Sequence, residues 1–310
     1  MLLMITSLIL LVVGFVLLVR GADTFVDGAV SVARRFKIPP IIIGTTLVAI
    51  GTSAPEAAIS IAAALRGANG VSIGNVIGSN ITNIFLILGL TAVIGAIPIH
   101  KNTKRYELPF VGIITLMLCA FGIWFGAISR PAALVFLGLF VGFIFYTIIM
   151  ARRSGEFIPE FKRVSTAQTI VMIIAGIAAL VIGSDLTVNS ATDIAIRIGF
   201  SERVIGLTLV AIGTSLPELV VCVAAALKRE YDMAVGNIVG SNIFNILFVL
   251  GMAAAIRPLP FDAAFITDGA IAVLAVAMLM IFSVRNSKIG RIGGIVFLTI
   301  YAFYLAHLVM

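Results

Sequence analysis

Long apolar stretches of about 20 residues, separated by short polar loops, follow one another along the whole sequence. A helix needs about 20 apolar residues to cross the hydrocarbon core of a bilayer, so each stretch is long enough to be one span. We therefore expect an all-α polytopic membrane protein with ten transmembrane helices. Their predicted ranges are 2–33, 41–65, 71–97, 106–127, 132–151, 166–196, 203–227, 233–256, 264–284 and 291–309.

Composition supports the membrane assignment. The 310 residues are 61% hydrophobic and 11% charged, whereas soluble domains carry about 25% charged residues. The net charge of +7 is spread over the loops, so it favours the positive-inside rule over binding to nucleic acid. Cys119 and Cys222 lie in apolar stretches with no histidine nearby, which indicates buried side chains rather than a disulfide or a metal site.

Basic residues are distributed unequally between the two faces of the predicted bundle. The loops after spans 1, 3, 5, 7 and 9 share one face and contain 15 Lys or Arg residues, whereas the other face has 5. Arg20, inside the first span, completes the 21 Lys and Arg residues of the chain. Cytoplasmic loops carry the excess of basic residues. We therefore expect a multi-pass protein of the cell membrane with both termini extracellular and the central loop cytoplasmic.

Three motifs occur twice in the chain. The segment 44–56, GTTLVAIGTSAPE, matches 206–218, GLTLVAIGTSLPE, at 11 of 13 positions. The segment 74–85, GNVIGSNITNIF, matches 236–247, GNIVGSNIFNIL, at 8 of 12 positions. The shorter pair is GAD at position 21 and GSD at position 183, and all three pairs are separated by the same 162 residues.

The duplication divides the chain into two halves of five spans. An odd number of spans separates the copies, so the two halves are predicted to enter the membrane from opposite faces. We expect a first five-helix repeat at 1–151, a cytoplasmic linker at 152–165 and an inverted second repeat at 166–310. Inverted repeats are typical of secondary transporters with a binding site near the membrane midplane. The alternative is a bundle that was duplicated for stability alone.

Each copy of the longest motif places a glutamate, Glu56 or Glu218, inside an apolar span. An ionised carboxylate at the bilayer centre costs about 2.5–3.5 kcal/mol on insertion scales, so such residues usually have a function. The proline before each glutamate is expected to break the helix and to free backbone carbonyls that line a polar cavity. The alternative is a capping box, in which serine and glutamate three residues apart only satisfy a helix terminus.

Small and polar residues also interrupt the third and eighth spans, so we expect breaks in spans 2, 3, 7 and 8. Ser79 and Asn83 are four residues apart and share one helix face, as do Ser241 and Asn245. Hydroxyl and amide oxygens are neutral ligands that supplement a carboxylate. The other asparagines of these motifs are as well suited to joining helices as to binding an ion.

Asp23 and Asp185 form a weaker candidate pair, with a structural or gating role as the alternatives to ligation. Arg20 precedes Asp23 by three residues and is positioned to pair with it along one helix face. The equivalent residue of the second repeat is Ile182, so that half lacks the partner.

All of these candidate ligands carry oxygen. Calcium takes six to eight oxygen ligands in flexible geometry, whereas magnesium sheds its water less readily. Transition metals are not favoured, because the sequence has no cysteine or histidine cluster. Two ionised glutamates balance one divalent cation or two monovalent cations, so the two kinds of ion can compete for one pocket, as an antiporter requires.

The paired motifs GTSAPE with GNVIGSNITN and GTSLPE with GNIVGSNIFN resemble the two alpha-repeats of the cation/calcium antiporter superfamily. The chain is most similar to its sodium/calcium exchangers of prokaryotic type. The resemblance implies calcium extrusion driven by sodium entry, with no enzymatic activity, no cofactor and no obligate protein partner. The implied ligands of Ca²⁺ and Na⁺ are Glu56, Thr52, Ser53, Ser79, Asn83, Glu218, Thr214, Ser215, Ser241 and Asn245, together with the carbonyls of Ala49 and Ala211.

One residue departs from part of the family. Potassium-dependent members have aspartate where this chain has Asn245, which argues against potassium dependence. The calcium/proton branch carries acidic GNxxE-type motifs where this chain has GNVIG and GNIVG, so sodium coupling is favoured over a calcium/proton antiporter. An inverted-repeat cation channel is a second alternative. An intramembrane hydrolase is a third, although no histidine or lysine is evident to activate Ser53 or Ser215.

Overall fold

The computed structural model describes residues 2–153, 165–199, 211–286 and 288–309. Within these ranges the chain forms long helices joined by short loops. In chain order they are α1 (Leu2–Phe36), α2 (Pro40–Thr52), α3 (Ala54–Arg66), α4 (Asn69–Ile94), α5 (Thr103–Phe125), α6 (Arg130–Arg153), α7 (Thr166–Ile198), α8 (Ala211–Thr214), α9 (Leu216–Leu227), α10 (Tyr231–Ile256), α11 (Ala264–Asn286) and α12 (Arg291–Val309).

Eight of the described helices are long and apolar enough to cross a membrane, and the bent pair α2–α3 makes nine. Each of these nine coincides with a predicted span, and the described ends agree to within three residues. The predicted seventh span, 203–227, begins outside the described residues, and its described part contains α8 and the apolar helix α9. The linker predicted at 152–165 also lies mostly outside them.

The break in the second span bends the chain by 48° between α2 and α3. Ser53 leaves the helical conformation there, and Pro55 lies in the first turn of α3, where a missing N–H needs no partner. The Ala49 carbonyl accepts the backbone N–H of Ser53 at 3.0 Å. The break was expected to free backbone carbonyls near the proline, and for the carbonyl of Ala49 this expectation is wrong. A similar break at Ser215 separates α8 from α9.

The third and eighth spans are continuous helices with a π-helical turn, not the broken helices that the sequence suggested. The π turn of α4 covers Asn83–Leu88, and that of α10 covers Asn245–Leu250. A third π turn, Gly44–Val48, lies in α2. Such turns often mark functional sites, because they shift the side chains that follow out of the regular helical register. Two of these turns begin at an asparagine of the predicted site.

Helices α4 and α10 form the centre of the bundle. In their most apolar windows 72% and 83% of the residues are buried, against 22–33% for the other candidate spans. Helix α10 lies against the backbone of α2, because glycines line the contact. A Cβ added to Gly240 would lie 2.5 Å from the Thr45 carbonyl oxygen, and one on Gly236 would lie 2.5 Å from that of Ile41. Only glycine permits this approach.

Helices α1 and α7 pack against each other, antiparallel, along much of their length. Small residues in α1 at a spacing of seven, among them Gly14 and Gly21, face Gly183 and Gly176 of α7, so the two backbones approach closely. Much of the remaining surface of both helices is apolar and exposed, as expected for contact with lipid. This pair forms one layer beside the central helices.

Two short antiparallel ladders join loops of the two halves. Strand β1 (Ile97–Pro98) pairs with β4 (Lys288–Ile289), and β2 (Ala127–Ile128) pairs with β3 (Leu259–Pro260). Each ladder connects one residue pair from before the central linker with one from after it. The halves are therefore held together at their edges as well as at their centre.

We expect Gly240→Ala to destabilise the protein, because the new methyl group would collide with the backbone of Thr45. Overpacking of this kind costs about 1–3 kcal/mol. Gly78 is the equivalent residue of the first repeat, and a Cβ there would meet no atom within 4 Å. Gly78→Ala is therefore the matched control. Thermal unfolding of the purified proteins in detergent should show a lower midpoint for Gly240→Ala alone, and equal midpoints would contradict the packing argument.

A candidate cation-binding site between the two repeats

Glu56 and Glu218 lie in the first turns of α3 and α9, just after the two breaks, and each is 1% exposed. The Ser53 hydroxyl donates to Oε1 of Glu218 at 2.7 Å, and the Ser215 hydroxyl donates to Oε1 of Glu56 at 3.5 Å. Neither serine caps its own helix with its side chain, so the capping-box alternative is wrong. Each carboxylate is instead bound from the opposite repeat, which places the two predicted acidic residues in one site.

Two threonines extend this crossed arrangement. The Thr52 hydroxyl lies 3.1 Å from Oδ1 of Asn237 and 3.4 Å from the Ala49 carbonyl oxygen, and it also interacts with Glu218. Thr214 interacts with Glu56 in the same way. Several acceptors thus compete for the single hydroxyl proton of Thr52. When Asn237 or Ala49 accepts that proton, the lone pairs of the threonine oxygen are left for a cation.

The site asparagines Asn83 and Asn245 are held by two of the four asparagines whose role the sequence left open. Nδ2 of Asn83 donates to Oδ1 of Asn242 at 3.0 Å, and Nδ2 of Asn245 donates to Oδ1 of Asn80 at 3.2 Å. Nδ2 of Asn80 in turn donates to the Asn242 carbonyl at 3.3 Å. We call Asn80 and Asn242 the amide clamp. It uses the donor group of each site amide and leaves the amide oxygen available.

Five oxygen atoms of the predicted ligands are buried without a hydrogen-bond partner among the described residues. They are Oε2 of Glu56 and of Glu218, Oδ1 of Asn83 and of Asn245, and Oγ of Ser241. An unpaired buried polar group costs about 1–3 kcal/mol, and a charged one costs more. Their concentration in one place therefore indicates a ligand. Four of the five atoms carry no hydrogen when the glutamates are ionised, so the site favours a hard cation.

A chain of polar contacts extends from Thr52 away from the carboxylates. Asn237, which lies beside Thr52, places its Nδ2 3.3 Å from Sγ of Cys222. The equivalent pair in the first repeat is Asn75 and Ser60, whose Nδ2 and Oγ are 2.9 Å apart. Cys222 is buried as predicted, but it contacts a polar group as well as apolar ones. A thiol is a weaker acceptor than a hydroxyl, so equivalent asparagines are held unequally in the two halves.

The remaining predicted ligands are placed less directly. Ser79 is buried on α4, one turn before Asn83. The Ala49 carbonyl accepts hydrogen bonds in this structure, and Ala211 begins α8, where its side chain lies outside the described part. The ligand roles of Ser79 and of both carbonyls, like those of the other residues of the set, stay predictions.

The aspartates of the third duplicated motif do not join the site. Asp23 is half-exposed on α1, and Asp185 is exposed on α7. The carboxylate of Asp23 lies 3.5 Å from Nζ of Lys228 in the second repeat. None of the ion pairs found in the described residues involves Arg20, so the predicted pair of Arg20 with Asp23 is wrong.

A polytopic helical bundle whose duplicated motifs meet around two buried carboxylates is the architecture of a cation/calcium antiporter. The chain belongs to the sodium/calcium exchanger protein family, whose model matches residues 6–149 and 168–310. The resemblance seen in the paired motifs is thereby confirmed.

Individual relatives cover almost the whole chain. The putative antiporter CaxA of Alkalimonas amylolytica is 40% identical in an alignment of 301 residues that covers 94% of this chain and 94% of its own. The sodium/calcium exchanger MaX1 of Methanosarcina acetivorans is 33% identical and covers 97% of this chain and 98% of its own. Among solved structures, the sodium-calcium exchanger NCX_Mj superposes with a TM-score of 0.87 at 36% identity, covering 98% of this chain and 99% of its own.

We expect Asn80→Ala to weaken calcium binding, because Nδ2 of Asn245 loses its acceptor and the amide can turn its oxygen away from the site. Loss of one buried hydrogen bond is worth about 1 kcal/mol, so the half-saturating calcium concentration should rise about fivefold. Calcium titration of the purified protein measures this. Asn102→Ala, at an exposed asparagine just before α5, is the control. An unchanged affinity in Asn80→Ala would show that the clamp does not orient Asn245.

Proposed function

We propose that this protein is a secondary active antiporter that exchanges sodium for calcium across the cell membrane by alternating access. The observation that carries the proposal is the group of five buried, unpartnered oxygens contributed by both repeats. Two carboxylates among them balance the charge of one Ca²⁺ or of two Na⁺. Because Ca²⁺ and Na⁺ use the same oxygens, binding of one excludes the other. The protein without a bound ion has two buried uncompensated charges, so its change between access states is costly. Both properties favour coupled exchange.

The proposed ligands follow from the same arrangement. Carboxylates supply charge, and hydroxyl, amide and carbonyl oxygens complete the six to eight ligands that calcium prefers. The two amides of the set, Asn83 and Asn245, turn their N–H groups toward protein acceptors. The set consists of Glu56, Glu218, Thr52, Ser53, Ser79, Asn83, Thr214, Ser215, Ser241 and Asn245, with the carbonyls of Ala49 and Ala211.

We also propose ten transmembrane helices in two inverted repeats, at 1–151 and 166–310, with both termini extracellular and the linker 152–165 cytoplasmic. The crossed contacts support the twofold relation. Ser53 with Glu218 and Ser215 with Glu56 are the same contact when each residue number is moved by 162. The two clamp contacts are related by the same shift. Equivalent residues of the two repeats carry buried oxygens without hydrogen-bond partners, and a duplication that served stability alone would not explain them.

Glu56→Gln and Glu218→Gln should each abolish calcium exchange, because one of the two balancing charges is lost while the side-chain shape is kept. Uptake of calcium into sodium-loaded proteoliposomes measures the effect. Glu107→Gln is a matched control, since Glu107 is also buried in a helix but lies beside Thr103 and Tyr146. We expect it to retain exchange. Wild-type exchange in either site variant would refute the assignment of the carboxylates.

The coupling ion can be identified in the same vesicles. With sodium inside and none outside, the proposal predicts calcium uptake that collapses when a sodium ionophore dissipates the gradient. A proton gradient of equal size, imposed without sodium, should not drive uptake. The reverse result would identify a calcium/proton antiporter of the same fold. Calcium flux that needs no counter-ion would identify a channel.

A further inference from the structure

A lysine at the end of α9 ties the second repeat to α1. Nζ of Lys228 lies 2.7 Å from Oδ1 of Asp27, 3.5 Å from Oδ1 of Asp23 and 2.9 Å from the Asp23 backbone carbonyl. We call Lys228, Asp23 and Asp27 the inner latch, because the α9–α10 loop belongs to the face expected to be cytoplasmic. Arg34 of α1 and Glu230 of the same loop, 3.6 Å apart, reinforce the tie.

The duplication places a second set of similar charges on the opposite face. Moving each residue of the inner latch by 162 gives Arg66, Asp185 and Asn189, which we call the outer set. Arg66 ends α3, and both Asp185 and Asn189 lie on α7. All three are exposed, and among the described residues Arg66 and Asp185 form no ion pair. Equivalent cations and carboxylates are therefore present in both halves, and the ion pairs among the described residues engage only those of the inner latch.

In a transporter with inverted repeats, this difference between the inner latch and the outer set bears on the transport cycle. In such transporters the two access states arise when the halves exchange their conformations around a fixed site. The contact that α1 now makes with Lys228 is then the contact that α7 makes with Arg66 in the other state. Helices α1 and α7 pack closely on each other, so they can change position together relative to the central helices.

We propose that the inner latch and the outer set close in alternation, each holding one face of the antiporter shut. This inference rests on the proposed exchange by alternating access. It gives Asp23 and Asp185 the same role in opposite states, and it makes Lys228 and Arg66 their partners. In the present structure the inner latch is closed.

The two latches are not equally strong. The inner latch has two carboxylates, whereas the outer set has one, because Asp27 is replaced by Asn189. The inner contact should therefore be the stronger, which biases the protein toward closure of the cytoplasmic face. Partly exposed ion pairs contribute little individually, so the bias from one carboxylate should be about twofold to fivefold.

Substitutions at Asp27 and Asn189, the one position at which the two latches differ in carboxylates, test the bias toward closure of the cytoplasmic face. Asn189→Asp strengthens the outer latch and Asp27→Asn weakens the inner one, so both should favour the state open to the cytoplasm. The apparent affinity for calcium at one face decreases when a smaller fraction of the molecules is open to that face. We expect the half-saturating calcium concentration to rise about twofold to fivefold at the extracellular face and to fall at the cytoplasmic face. Oriented vesicles loaded from either side measure the two values.

Simple attraction between charges predicts the opposite signs. A carboxylate added at the outer face would draw calcium there and lower its half-saturating concentration, and one removed at the inner face would raise the value on that side. Shifts in this direction, or no shift in either variant, would overturn the proposal. Arg20→Gln, which alters a charge on α1 outside both latches, is the control and should change neither value.

A cross-linking experiment tests the latches without any measurement of transport, so it stands even if the transported ions are assigned wrongly. In a variant with Cys119→Ser and Cys222→Ser, cysteines replace Asp27 and Lys228 for one pair and Arg66 and Asn189 for the other. Each pair alone should form a disulfide under oxidation. With both pairs present, a molecule should form one disulfide or the other, as peptide mapping will show. Both disulfides in the same molecule would overturn the alternation.

Discussion

The site depends on one constraint, which is that the amide N–H groups of its asparagines and the hydroxyl of Thr52 must donate to other protein groups and not face the cation. Amides and hydroxyls serve a cation only through oxygen, and a buried N–H turned toward the cation would repel it. The clamp formed by Asn80 and Asn242 takes the donor groups of Asn245 and Asn83, and Asn237 is placed to take that of Thr52. The oxygens left without partners are the result of this arrangement. Every one of these contacts joins residues from different repeats, so the site exists only when the halves are assembled.

The sequence predicted the helices well because their signal is strong and local. Apolar runs of membrane length give nine described spans to within three residues of their ends. The shape of the interruptions was predicted less well. Proline in the second and seventh spans, and small and polar residues in the third and eighth, indicated breaks in four spans, yet α4 and α10 run on through π turns. A π turn has no distinctive composition, since it depends on how the neighbouring helix packs. In α10, Gly236 and Gly240 instead allow close contact with the backbone of α2.

The residues of the site were predictable because they lie in the duplicated motifs. The contacts among these residues were not predictable. Glu56 and Glu218 stand out as carboxylates in apolar spans, and the structure brings them together as expected. The partnership of each with a serine of the other repeat could not be read from sequence, where Ser53 and Glu56 look like one capping box. Asn80 and Asn242 lay within the duplicated motif, but sequence offered no way to separate an amide that binds from an amide that orients. Lys228 had no visible partner until the fold placed α1 beside it.

The clamp also explains why position 245 carries an amide in this chain. Nδ2 of Asn245 donates to Oδ1 of Asn80, whose own Nδ2 is used on the Asn242 carbonyl. An aspartate at 245 would set a carboxylate oxygen against the Asn80 oxygen, and this contact survives only if the aspartate is protonated or the Asn80 amide turns over. Turning that amide would break its bond to Asn242 and disturb the support of Asn83. Asn245 is thus part of the hydrogen-bond network of the amide clamp. Because Asn245 is neutral, the formal charge of the cation-binding site is that of its two glutamates.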